Sequence, residues 1–305
     1  MIEIIKNPNI DFMGLRKFAF GLSGVLIAIG LFALVQIGTG SANLGIDFAG
    51  GTSVQVQFSA SAPLQQVRSA LEEAGLKDFD LQDLPGVNKI LVRVKKQEDE
   101  ALGATSALII DTLSARFTEL APVVDSTTEI GPKVGGKLRL DALKAILYSI
   151  IGILAYVSLR FQFRFAVGAT VATFHDVLAV LGIFFLMGKE INLVLVSALL
   201  MIAGYSLTDT VVVFDRIREN LRSRFRGPVG GVINSSINEV LSRTVIVSLT
   251  TLFSALALYI FGGEVIHDFA LAIILGVLIG TYSSVFVASP VVLLWGGKGP
   301  LFKKR

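Results

Sequence analysis

Charged side chains rarely sit inside long apolar runs, and this sequence places several there. Asp176, with His175 beside it, lies within one such run, Asp209 within the next, and Arg243 opens a third. Asp176 follows Arg164 by twelve residues, about 18 Å at the helical rise and so near the middle of a bilayer. Asp209 precedes Asp215 by six residues, about 9 Å inside the membrane edge that Asp215 would mark. A central aspartate costs about 2.5 to 3.5 kcal/mol on insertion scales, so it should face protein or water and find a partner. Such a residue reads either as glue, a fixed hydrogen bond or ion pair between helices, or as a proton site. The natural partner of Asp209 is Arg243, which can bury its stem while the guanidinium reaches inward. Tyr205 lies one turn from Asp209 on the same face, Thr208 is a further intramembrane hydroxyl, and Thr250, Thr251 and Ser254 follow Arg243 at helical offsets. Together they predict a polar seam.

Burial disfavours a carboxylate and a nearby guanidinium favours it, so an Arg243 that approaches and withdraws would toggle proton uptake at Asp209. One proton falling through 100 mV releases about 2.3 kcal/mol, enough to bias a two-state rearrangement without nucleotide. Taken alone, Arg243 also reads as a snorkelling residue at a membrane edge. His175 reads as glue more readily than as a relay.

Other chemistry is excluded or thinly signalled. The chain has no cysteine, which removes disulfides, thiolate nucleophiles and thiolate metal ligands. His175 and His267 are its only imidazoles, too far apart in sequence for an HExxH or paired-histidine zinc motif. Gly131-Pro-Lys-Val-Gly-Gly136-Lys137-Leu138 approaches a phosphate-binding loop, but Leu138 replaces the hydroxyl that would hold magnesium. Gly21-Leu-Ser23-Gly24 has the look of a rhomboid-type serine nucleophile with His175 as a conceivable base. Small residues packing helices explain Ser23 more simply. Asp209 lacks the GxGD signature of aspartyl intramembrane cleavage. The expectation is a non-enzyme with no catalytic residues, no cofactor and no metal.

These side chains need helices that cross a bilayer, and the composition supplies them. Of 305 residues, 53% are hydrophobic and 17% charged, with a mean hydropathy of +0.71; a soluble domain that apolar could not cover itself with polar surface. The net charge of +3 is too small for a nucleic-acid partner. Six stretches are long enough to span: 18–37, 143–159, 165–187, 193–213, 245–261 and 269–294. The first follows Lys6, Arg16 and Lys17 and is too long for a signal-peptide core, so it reads as an uncleaved anchor. Placing the N-terminus inside puts those three on one side with Arg160, Arg164, Arg216, Arg218, Arg222, Arg224, Arg226, Arg243, Lys298, Lys303, Lys304 and Arg305. The short loops opposite carry only Lys189. Both termini are therefore expected in the cytoplasm. Lys133, Lys137, Arg139 and Lys144 go against this count, but they follow a segment of about 100 residues, and segments that long translocate largely regardless of charge.

The expected organisation is a cytoplasmic tail at 1–17, a first membrane helix at 18–37, an external domain at 38–137, a five-helix membrane bundle at 138–294 and a basic cytoplasmic tail at 295–305. In the insert, residues 52–58 alternate, with Val54, Val56 and Phe58 on one face. Residues 63–74 carry Leu64, Val67, Leu71 and Ala74 on one helical stripe closed by Gly75. A weak strand at 79–83, a Pro85-Gly86 turn, a strand at 89–95, a helix at 98–117 and a strand near 123–130 complete the order β-α-β-β-α-β of a ferredoxin-like sandwich.

Several motifs in these elements resemble those of the SecF family of the bacterial Sec protein-export machinery, a branch of the resistance-nodulation-division (RND) superfamily. Leu44-Gly-Ile-Asp47-Phe-Ala-Gly50-Gly51-Thr52 resembles its GxDFxGG box, and Gly131-Pro-Lys-Val its pre-membrane segment. Phe174-His175-Asp176-Val177 is similar to its third-span element. The most specific likeness runs from Gly204-Tyr205-Ser206 through Asp209 to Asp215-Arg216-Ile-Arg218-Glu-Asn220, the family's fourth-span signature, with Leu207-Thr208 where a common form reads Ile-Asn. Leu241-Ser-Arg243-Thr and Gly280-Thr-Tyr-Ser-Ser-Val-Phe-Val-Ala-Ser-Pro290 agree as well. The resemblance implies a six-helix RND-like half with an external α+β domain in the bacterial cytoplasmic membrane. It further implies an auxiliary translocase subunit that pairs with SecD, associates with SecYEG and YajC, acts on a translocating preprotein and draws on protons. The proton-coupling residues it carries over are Asp209 and Arg243. A proton-coupled efflux or lipid transporter half is the alternative.

Overall fold

A computed structural model describes residues 8–84, 87–95, 103–223 and 228–296. The Pro85-Gly86 turn, the first residues of the expected second helix of the insert, Lys6, Arg224, Arg226 and the basic C-terminal tail lie outside the described residues.

In chain order the elements are α1 (Arg16–Thr39), α2 (Ile46–Ala49), β1 (Gly51–Gln57), α3 (Leu64–Glu73), β2 (Phe79–Leu84), β3 (Lys89–Lys95), α4 (Ala104–Arg116) and β4 (Val123–Ile130). They continue with α5 (Pro132–Arg160), α6 (Phe163–Leu186), α7 (Leu193–Ser223), α8 (Val229–Phe261), α9 (Glu264–Ser283), a π-helical turn (Ser284–Ala288) and α10 (Ser289–Gly296). Among the described residues, six helices, the last running through the π turn, are long and apolar enough to cross a membrane. Several exceed the spans expected from hydropathy: α7 and α8 continue through polar residues because an amphipathic helix can leave the bilayer without breaking.

The chain divides into two compact units. The first comprises Met1–Ala42, Lys144–Lys189 and Val194–Arg305. Within it, burial is unequal: in their most apolar stretches α6 and α7 are 67% and 50% buried and the last helix 56%, against 22% for α1, 6% for α5 and 17% for α8. The inner three helices are the ones able to shelter charge. Helix α1 lies directly on α6 because both helices are glycine at the crossing. A Cβ on Gly30 would stand 2.3 Å from the Leu178 carbonyl oxygen, and one on Gly182 would stand 2.8 Å from the Gly30 nitrogen. Small residues let two backbones approach and exchange dispersion where no hydrophobic force distinguishes helix from lipid. Nearer the N-terminus, Phe12, Phe165, Phe214, Ile217, Ile233 and Val292 share an apolar cluster. The segment before α1 is clasped to α8: Asn238 accepts from the Ile10 amide, Asn234 accepts from the Met13 amide, and the Asn234 side chain donates to Asp11.

The second unit comprises Asn43–Leu143 and Glu190–Leu193. Its sheet is antiparallel in the order β2-β3-β1-β4, the ferredoxin-like arrangement. Strand β1 pairs with β3 in the register Val54↔Val92 and with β4 in the register Val54↔Thr127. The alternation read from the sequence sends Val54, Val56, Ile90 and Val92 to one face, where Val67 and Leu71 of α3 and Ile109 and Leu113 of α4 cover them. Two glycines start β1 for separate reasons. Gly50 has φ +78°, and a Cβ on Gly51 would fall 2.3 Å from the Val94 carbonyl oxygen. The short connection from α6 to α7 is part of this unit: Ile191 donates its amide to Asn43, Gly45 donates to Ile191, and Asp47 accepts from the Leu193 amide at the start of α7. Glu190 adds an ion pair with Arg93.

Candidate functional site

The polar interior of the membrane unit is assembled from α6, α7, α9 and the π turn. Asp176 on α6 is fully buried. One carboxylate oxygen is 2.8 Å from His175 Nδ1. The other is approached by Ser206 Oγ of α7 and by Ser283 Oγ of α9 at 2.7 Å. Asp209 on α7 is 9% exposed, and Ser284 Oγ donates to its carboxylate.

Ser283 and Ser284 are consecutive, and in a regular α-helix consecutive side chains point about 100° apart. The π turn begins at Ser284. Such insertions shift the register of a helix face locally and recur at functional sites. With α6 on one side and α7 on the other, the two hydroxyls divide between the two carboxyls. Ser289 closes the turn by donating its hydroxyl to the Ser284 carbonyl.

Arg243 stands elsewhere. It is exposed on the chain's own surface, and among the described residues it forms no ion pair with Asp209. The expected partnership is therefore absent from this conformation. The cause is helical geometry: Thr244, one residue on, is buried and turns toward Asp209, so Arg243 points about 100° away.

The seam also runs differently from the expectation. Thr250, Thr251 and Ser254 return their hydroxyls to carbonyls of α8 itself, at Val247, Val247 and Thr250. Thr208 does the same with Gly204 on α7. A hydroxyl that bonds its own preceding turn is satisfied without a partner helix. The interhelical chain is instead Tyr205 to Ser248 at 3.3 Å and Ser248 to Thr281 at 2.6 Å, linking α7, α8 and α9. Ser23, the conceivable nucleophile, is hydrogen-bonded to Tyr282 at 3.1 Å. His175 turns Nδ1 to Asp176.

Ser206, Ser283 and Ser284 were missed by sequence reasoning, although all three lie in segments that resemble family motifs. His175 Nε2, Thr210 Oγ1 and Thr244 Oγ1 are buried and have no hydrogen-bond partner among the described residues. Among the described residues no cluster of His, Asp and Glu could hold a metal ion. Chemically, the arrangement offers two buried carboxyls lined by hydroxyls, with an imidazole beside one of them.

Comparison with known proteins places this geometry in a family. A model described as protein export membrane protein SecD/SecF, C-terminal, matches residues 101–298, and one for the SecD/SecF GG motif matches residues 42–62. The protein translocase subunit SecF of Thermodesulfovibrio yellowstonii is 56% identical over the whole of both chains. That of Calditerrivibrio nitroreducens is 43% identical over 96% of each. Among solved structures, SecDF of Thermus thermophilus, a translocon-associated membrane protein, superposes with a TM-score of 0.80 at 36% identity. The match covers 96% of this chain but spans only 39% of that one. On this evidence the chain belongs to the SecF branch of the SecD/SecF family.

Proposed function

We propose that the chain is an auxiliary subunit of a bacterial Sec translocase that pairs with a SecD-type half, associates with the SecYEG channel and YajC, and uses the proton motive force to promote late steps of preprotein export. It is a membrane-embedded energy coupler, not an enzyme. The observation that carries the reading is the placement of Asp176 and Asp209 between the three most buried membrane helices, with neither paired to a lysine or arginine among the described residues. Burial acts against the charge of a carboxylate, and an approaching guanidinium acts for it. Arg243 is the cation one residue from the Asp209-facing side of α8. Rotation of α8 by about 100° would exchange Thr244 for Arg243. Loading and release at Asp209 would then follow the position of α8. The likeness to a SecDF chain more than twice as long supports a six-helix half that works with a second half. The distribution of Lys and Arg supports a cytoplasmic-membrane location with both termini in the cytoplasm and residues 38–137 outside, where the ferredoxin-like unit would meet the emerging polypeptide.

The test is Asp209→Asn in the full chain. The variant should insert and assemble with its SecD-type partner, and proton-dependent export in sealed vesicles should fall to the level seen without a gradient. Arg243→Ala should behave alike and Arg243→Lys should retain part. Wild-type export by Asp209→Asn would refute the reading, and vesicles that move a small molecule or lipid without preprotein would establish efflux instead.

A further inference from the structure

Ser283, which ends α9, and Ser284, which opens the π turn, each have one hydroxyl hydrogen and two acceptors. Ser283 Oγ lies 2.7 Å from the Asp176 carboxylate and 3.1 Å from the Gly280 carbonyl oxygen. Ser284 Oγ is bonded to the Asp209 carboxylate and lies 3.1 Å from the Thr281 carbonyl oxygen. With an ionised carboxylate, one hydroxyl hydrogen cannot fill both contacts. With a protonated carboxyl both are filled: the acid donates its proton to the serine oxygen, and the serine turns its own hydrogen to the carbonyl one turn back. No bond to carbon or oxygen is made or lost beyond the proton gained. Each serine therefore reports the charge of its carboxyl to the backbone of the helix that carries it.

We infer that Asp176 is a second proton-binding residue of the switch, and that Asp176 and Asp209 titrate as one coupled unit through Ser283 and Ser284. This rests on the proton-driven reading proposed above, in which loading and release are assigned to Asp209, and adds Asp176 as a second site. The side chains that face Asp176 are His175 on α6, Ser206 on α7 and Ser283 on α9, with the Tyr282 ring 6.2 Å from the imidazole. Asp209 is the other carboxyl of this polar interior, held by Ser284, the residue next to Ser283. Among the described residues no lysine or arginine pairs with Asp176, so its charge is compensated by hydrogen bonds and by the imidazole alone. The imidazole has capacity to spare: His175 is fully buried and, among the described residues, its Nε2 has no hydrogen-bond partner. While Nδ1 donates to the Asp176 oxygen it faces, Nε2 is a bare acceptor, and this holds when the other Asp176 oxygen carries the proton that it donates to Ser283. Ser283 and Ser284 are not hydrogen-bonded to each other among the described residues, so the coupling runs through the peptide that joins them where α9 meets the π turn and through the field between the two carboxyls.

The experiment is infrared difference spectroscopy of the full chain in lipid vesicles, following the carbonyl stretch of protonated carboxyls as pH is varied. Wild type should show two buried carboxyls that gain and lose protons. Asp176→Asn should delete one signal, and Asp209→Asn should delete the other while moving the midpoint of the one that remains by about one pH unit or more, as interacting sites require. Ser283→Ala keeps both carboxyls and serves if Asp176→Asn does not fold; it should move the Asp176 midpoint and reduce the mutual shift. A wild-type spectrum in which only the Asp209 signal titrates, or an Asp176 midpoint indifferent to Asp209→Asn, would overturn the inference. Those spectra are independent of export. Loss of export in Asp209→Asn without a titrating Asp176 sinks this inference alone, whereas two coupled signals with normal export in both variants sink the export reading alone.

Discussion

Asp209 keeps its charge or its proton by permission of Ser284, whose hydroxyl is the hydrogen bond the structure gives it. Removing that donor from a buried carboxylate leaves an acceptor unpaired, at a cost of about 1.5 to 3 kcal/mol. Ser284→Ala should therefore lower the thermal midpoint of the purified chain and weaken proton-dependent export, while Ser254→Ala, whose hydroxyl bonds only its own helix, should change neither. Measuring melting and export on the two variants side by side checks this. At this scale the sequence is informative about depth and silent about direction. Counting residues from the flanking charges is enough to bury Asp176 and Asp209, because helical rise is fixed. Whether Arg243 or Thr244 meets Asp209 depends on one helix's rotation against another, which no spacing specifies. The serine pair is hidden for a further reason: a π turn breaks the 3.6-residue period on which face assignments rest.

Among elements, the crossing of α1 and α6 depends on two glycines. Gly30→Val would drive a branched side chain into the Leu178 backbone, and overpacking of this kind costs about 1 to 3 kcal/mol. Its melting midpoint in detergent should drop accordingly, whereas Gly24→Ala, which meets open space, should be near neutral. The clasp of the pre-α1 segment on α8 predicts a pH dependence. The Asn234 side chain and then the Gly14 amide hold the Asp11 carboxyl below its ordinary value. A depressed carboxyl contributes stability that is present above its unfolded value, about 4, and is lost as pH falls through the folded one. Protection of the Met13 and Gly14 amides, taken against the intrinsic exchange rate at each pH, should fall on acidification through that range, and Asp11→Asn should abolish the pH response. Spans and strands were legible because apolar length and period-two alternation act locally. The clasp was not, since Asn234 and Asn238 look like any polar residues at a helix start.

For the molecule as a whole, the ferredoxin-like order was readable from alternating strands and one helical stripe, because a sheet with a single covered face must alternate. What the sequence could not show is that Glu190–Leu193, remote from the insert along the chain, belongs to the same unit. Ile191→Pro removes the amide that Asn43 accepts and should raise proteolytic cleavage near Asn43 in the folded, membrane-inserted chain. An unchanged digestion pattern would show that this hydrogen bond holds nothing in place.

The same four residues bear on how the sheet can be excised. A recombinant fragment cut at 43 and 143 would carry an unoccupied berth along Asn43, Gly45 and Asp47, with their polar backbone and carboxylate left to solvent. A synthetic peptide spanning Glu190–Leu193 and a few flanking residues, added in trans, should seat there and raise the fragment's melting temperature.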